Sequence, residues 1–229
     1  MTTLVLLPGM DGTGELFGPL VRELAALAPS LKVMVIDYPR DKPLGYAALT
    51  QLTAQKLPPD ESLVLLGESF SGPIATHLAK DLKQRCLGLI LCVTFVHSPI
   101  RLPLVTRAFA RLIPFDKLVQ QPNEDKLGTL SDELKPIFKA ATASVAPAVW
   151  RARFQAALTV DERSNLRQLT CPSQYYRATH DNVIPARTAE RIVKIQPRTQ
   201  IIDFDAPHLL LQNNAVDAAK QIIAFMTLS

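Results

Sequence analysis

Short runs of valine, leucine and isoleucine recur along the chain, separated by stretches whose apolar residues stand three and four apart. The runs lie at 3–7, 32–37, 62–66, 88–94, 173–178 and 200–204. Most are continuously apolar rather than alternating, the pattern of strands covered on both faces. Helical spacing marks 14–27, 44–57, 70–82, 186–195 and 215–226. Strand–helix–strand repetition predicts an α/β fold: a mostly parallel sheet of about six strands, right-handed crossovers, and helices on both faces.

One interval breaks the rhythm. Residues 98–169 hold no convincing strand, only helix-like pieces punctuated by Pro99, Pro103, Pro114, Pro122, Pro136 and Pro147. A bare loop of that length between two sheet strands is uncommon. We therefore expect a core of residues 1–97 and 170–229 and an inserted helical cap over 98–169. A cap belongs above the carboxyl edge of the sheet, where open α/β sheets bind ligands. The alternative is a helical decoration without a role in binding.

The third apolar run ends in Gly67-Glu68-Ser69-Phe70-Ser71-Gly72, and a helical pattern follows. This is close to the G-x-S-x-G signature of a nucleophile elbow, a strand-to-helix turn so sharp that its central serine is strained and exposed. Here Ser71 takes the second small position and Gly72 comes one residue late.

A serine hydroxyl is a weak nucleophile and needs a base, for which histidine is suited by its near-neutral pKa. Of the four histidines, His77 falls within the helix after the elbow, pointing away from its N-terminus. His97 follows the fourth strand, before the cap. His180 adjoins Asp181, the best candidate for the orienting acid. His208, in Asp205-Ala206-Pro207-His208, follows the last strand on the same sheet edge as Ser69, and is the expected base. Asp181, in Thr179-His180-Asp181-Asn182, sits in another strand-end loop, with Asp203 and Asp205 as rivals. Asp203 lies inside a strand; Asp205 shares one short loop with His208.

The order Ser69, Asp181, His208 is that of α/β-hydrolases, and over nearly its whole length the chain resembles that family, in its serine carboxylesterase-like members. The resemblance implies Ser69 as nucleophile, His208 as base, Asp181 as orienting acid, and a helical lid at 98–169. It also implies an oxyanion hole made by backbone N–H groups, those of Phe70 and Met10. Pro8-Gly9 stands where the family usually has His-Gly; the donor being backbone, the side chain is free to vary. Carboxylic ester hydrolysis through an acyl-enzyme is the expected activity, thioester hydrolysis the nearest alternative. Such chemistry calls for a small-molecule ester and for no metal or organic cofactor.

Two readings of a different class compete. Gly12-Thr13-Gly14 followed by Gly18, with Asp37 ending the next strand, has elements of a dinucleotide-binding loop, but the third glycine comes one residue late. A non-catalytic, hydrolase-like receptor is the other.

A net charge of +4 is too small and scattered to argue for nucleic acid. Cys86, Cys92 and Cys171 show no metal-ligand spacing and read as buried thiols of a reducing compartment. No basic, apolar leader is visible, and no apolar run is long enough to span a bilayer. The expectation is a cytoplasmic protein. Arg101, Arg107, Arg111 and Lys117, with Arg151 and Arg153 further on, place cations in the cap. They read as a solvated face or as a dock for an anionic partner such as an acyl carrier protein. Leu158-Thr159-Val160-Asp161 and Leu166-Arg167-Gln168-Leu169 are similar to the pimeloyl-carrier-protein methyl ester esterases of biotin synthesis, which implies such a partner.

Overall fold

Successive strand residues point to opposite sides of a sheet, and in this chain both sides are apolar. A computed structural model describes residues 2–99, 127–128 and 130–228. Its strands are β1 (Thr2–Leu7), β2 (Lys32–Val35), β3 (Ser62–Glu68), β4 (Cys86–Cys92), β5 (Ser173–Ala178) and β6 (Thr199–Phe204). They form one parallel sheet in the order β2-β1-β3-β4-β5-β6. The chain turns outward to β2 and then crosses back to β3, which makes the β1–β3 boundary the topological switch point.

Each sheet face has its own helices. Leu4, Leu6, Val64, Leu66 and Ile90 pack against α1 (Gly18–Leu27) and α9 (Ala215–Leu228) through Leu20, Leu24, Ala218 and Ile222. Val5, Leu7, Leu65, Leu89 and Leu91 face α2 (Tyr46–Lys56), α3 (Gly72–Leu82) and α7 (Arg187–Ile195) through Leu49, Ile74, Leu78, Ala189 and Ile192. Cys86, Cys92 and Cys171 are buried and unbridged.

The helical patterns at 14–27 and 70–82 each begin with a 3-10 turn, Glu15–Phe17 and Ser69–Ser71. The α-helix proper starts beside Pro19 or Pro73, whose fixed φ and missing N–H suit a first turn.

Between β4 and β5 the described residues hold α4 (Leu134–Ala143), α5 (Pro147–Thr159), α6 (Arg163–Arg167) and no strand. The ends of this insertion are stitched together. Ser98 N–H donates to Val160 O at 3.1 Å, and Glu162 N–H to Val96 O at 2.7 Å. Leu166 of α6 lies in the main core, whereas α4 packs Leu134 and Phe138 against Leu16 and Leu209 in a separate cluster. The α8 turn (Leu210–Asn213) links β6 to α9. No helix among the described residues is long and apolar enough to cross a membrane.

Candidate active site

Parallel register brings four loop starts to one edge. Leu7 lies beside Gly67, and Ala178 beside Phe204. The loops after β1, β3, β5 and β6 therefore leave the sheet on the same side.

The turn after β3 is strained. Ser69 has φ of +47°, a left-handed conformation that costs a non-glycine residue about 1–3 kcal/mol. The residues around it are sized for it. A Cβ on Gly67 would lie 2.7 Å from Ala75 Cβ and 2.8 Å from Ser71 O. A Cβ on Gly72 would meet Thr94 Oγ1 at 2.1 Å. Thr94 uses that space to donate its hydroxyl to Ser69 O. Tyr46 stacks on Phe70 with centroids 4.6 Å apart and donates to Phe70 O at 3.0 Å.

Ser71 is buried and its hydroxyl donates to Pro8 O. Its single hydrogen being spent, it accepts from Tyr38 Oη at 2.7 Å. Burial pushes the Tyr38 phenol well above its ordinary range, so it remains a neutral donor. The residue that departs from the elbow pattern thus ties the elbow to the loop after β1.

Ser69 Oγ lies 3.1 Å from His208 Nε2, and His208 Nδ1 lies 2.9 Å from Asp181 Oδ2. The other oxygen, Asp181 Oδ1, accepts from Val183 N–H at 2.7 Å and Ile184 N–H at 2.9 Å. The side chains of His208 and Asp181 are almost wholly buried. The remaining candidates lie elsewhere. Asp203 forms a two-pronged ion pair with Arg177, and Asp205 pairs with His180 at 2.7 Å. His77 faces Asp81 and Glu162 on the outside of α3. His97 pairs through its backbone with Asp161.

A cavity of about 220 Å³ opens over Ser69. Leu16, Leu127, Phe138, Trp150, Val183 and Leu209 make its wall apolar; Gly9, Met10 and Glu68 lie near the serine. A larger groove of about 960 Å³ runs between α2 and α5, but Ser69 and His208 are not among its walls.

Sequence reasoning passed over Glu68, although it stands next to the serine. Its carboxyl is buried and accepts from Gln212 Nε2 at 3.0 Å. Burial pushes its pKa up from 4.5 to about 7, with nearby Asp11 adding to the rise while Gln212 and His208 oppose it. Between pH 4.5 and about 7 the unfolded chain has lost this proton and the folded one keeps it, so stability falls as pH rises through that window. The full effect is of order 3 kcal/mol. Unfolding free energies at pH 5 and pH 8 should fall by about that much more for the wild type than for Glu68→Gln. Equal slopes would place the proton elsewhere.

Arg153 also departs from expectation. It adds no charge to the surface of the insertion, because it is fully buried and donates to the carbonyls of Met10, Asp11 and Pro39. Long-range packing of α5 decides this, and no local signal shows it. Arg101, Arg107, Arg111 and Lys117 lie outside the described residues.

Residues 4–221 match the model of the alpha/beta hydrolase family. The chain belongs to that family. Solved structures agree in fold. An enol-lactonase from Burkholderia xenovorans LB400 has 19% identity and a TM-score of 0.78, covering 99% of this chain and 91% of that one. A lipase-esterase related protein from Clostridium acetobutylicum ATCC 824 has 16% identity and a TM-score of 0.77, over 98% and 94%. A bromoperoxidase from Bacillus anthracis has 14% identity and a TM-score of 0.79, over 99% and 92%. At such identities the likeness is one of fold, which hosts many chemistries. No curated protein matches the chain. In this alpha/beta hydrolase the glycines of the dinucleotide-like loop have other uses: Gly12 makes room for Arg153, and Gly14 packs on Val35 and Ile36. Asp37 is held by Lys56.

Proposed function

We propose that the protein is a serine hydrolase that cleaves small carboxylic esters through an acyl-enzyme. The observation carrying this reading is the contact chain Ser69–His208–Asp181 at the floor of an apolar cavity. Ser69 Oγ attacks the ester carbonyl as His208 Nε2 takes its proton. Asp181 holds the Nδ1–H tautomer and stabilises the imidazolium. The N–H groups of Met10 and Phe70 meet the oxyanion. His208 then protonates the leaving alcohol, and water resolves the acyl-enzyme by the reverse steps. The helices α4 and α5 act as the cap over the acyl pocket, lending Phe138, Thr142 and Trp150 to its wall.

The apolar wall favours an acyl chain, and the cavity volume limits its length. A panel of p-nitrophenyl esters of rising chain length should show kcat/KM climbing and then falling as the chain outgrows the pocket. A fluorophosphonate should label Ser69 with one-to-one stoichiometry. An unlabelled protein that hydrolyses none of the panel would end this reading. Thioesters use the same groups, and one matched thioester in the panel ranks the two leaving groups directly.

A further inference from the structure

Among the described residues Arg153 is one of the largest side chains that are fully buried, and it belongs to α5, within the insertion. Burying a guanidinium is costly unless its donors and charge are matched, and a well-packed apolar residue often gives equal or better stability. Its partners here are main-chain carbonyls. Nη1 donates to Met10 O at 2.8 Å and to Asp11 O at 2.7 Å, and Nη2 donates to Pro39 O at 3.0 Å. Its carbon Cζ stands 5.6 Å from the centroid of the Tyr38 ring.

The loop after β1 is shaped to receive it. Gly12 has φ of +68°, and a Cβ there would sit 2.5 Å from Nη1. Tyr38, beside the guanidinium, donates to Ser71, and Ser71 donates to Pro8 O. The carbonyls of Pro8, Met10 and Asp11 are thus all gripped, two by the insertion and one by the elbow. Between the held points lies the Gly9–Met10 peptide, next to the serine: a Cβ on Gly9 would be 3.9 Å from Ser69 Cβ.

We propose that Arg153 is a positioning residue that, with Tyr38 and Ser71, fixes the Gly9–Met10 peptide so that the Met10 N–H meets the oxyanion. The proposal rests on the ester-hydrolase reading and deepens it. Nη1 alone grips two successive carbonyls while Nη2, in the same rigid plane, holds Pro39 O, and this planar anchorage sets the loop's orientation, which a flexible ammonium does not. It also couples the insertion to the reacting centre, because a shift of α5 loosens the loop that supplies an oxyanion donor. Ser71 then stands in the elbow for its hydroxyl, where a glycine would leave Pro8 O unheld.

The test uses the full chain carrying Arg153→Lys or Ser71→Ala, with kcat and KM for the best p-nitrophenyl ester normalised to fluorophosphonate-labelled protein. Arg153→Lys should lower kcat by about 10- to 100-fold, with KM within about threefold, and should still label to completion at a slower rate. Ser71→Ala, which removes one hydroxyl, should lower kcat by about tenfold and covers the case in which Arg153→Lys does not fold. A purely structural role would reduce the labelled fraction and the melting temperature while leaving kcat per labelled site unchanged. Values of kcat per labelled site within twofold of wild type, or a loss expressed in KM alone, would overturn the proposal. Failure of the ester-hydrolase reading shows instead in the wild type, as absent labelling and absent hydrolysis.

Discussion

Ser69→Ala should lower ester turnover by about 10⁴- to 10⁶-fold and leave the fold intact. In the proposed mechanism no acyl-enzyme forms without Oγ, and the residual rate comes from substrate binding and oxyanion donors alone. The hydroxyl's hydrogen bond to His208 is lost, while Gly67, Gly72 and the Thr94 and Tyr46 contacts that shape the elbow remain. Alanine keeps the unfavourable φ of +47°, so the strain is neither relieved nor increased. The melting temperature should stay within a few degrees of wild type, since a single partly buried hydrogen bond contributes only about 1 kcal/mol. Steady-state turnover with a p-nitrophenyl ester, measured beside thermal unfolding, separates chemistry from stability. A variant retaining more than a tenth of wild-type turnover would remove Ser69 from the mechanism.

Asp181→Asn should cost about 10⁴-fold in kcat, through the tautomer of a base that stays in place. Val183 N–H and Ile184 N–H both donate to Oδ1, so an asparagine must put its carbonyl oxygen there. Its NH₂ group then faces His208 Nδ1 across the 2.9 Å contact. Nδ1 becomes the acceptor, Nε2 carries the hydrogen, and Nε2 can no longer take the proton of Ser69. Asp205→Asn is the matched control. Asp205 is exposed and paired with His180, so kcat should stay within about twofold. Full activity in Asp181→Asn, or a comparable loss in Asp205→Asn, would reassign the orienting carboxylate.

The readable parts of this molecule are those whose signal is short-ranged. Continuous apolar runs predicted six strands, and the parallel sheet contains six, with ends displaced by a residue or two. At β2, which ends at Val35, the chain passes from the ladder to the loop after β1, where Tyr38 N–H donates to Gly12 O at 2.7 Å. The elbow was visible because its small residues stand close together in sequence; Gly67 is limited by its near neighbours Ser71 and Ala75, whereas the limit on Gly72 comes from Thr94 on another element. Position alone put His208 and Asp181 on one edge, since parallel strands send successive loops there, and their side chains lie 2.9 Å apart. Glu68 was legible as a residue but not as a buried acid, because the packing that buries it, and that brings Gln212 and Asp11 to it, joins segments distant in the chain.

By itself the sequence determined which segments become strands and helices, that the sheet is parallel, and where the strained serine sits. These follow from side-chain period and from steric limits within a few residues. Only the tertiary structure decided that Ser71 binds Pro8, that Arg153 turns inward, and which carboxylate reaches His208. The contact of Arg153 with Met10 joins residues 143 positions apart, and no local period encodes so distant a meeting. It exists only once the helices between β4 and β5 have packed on the sheet edge and removed the guanidinium from water.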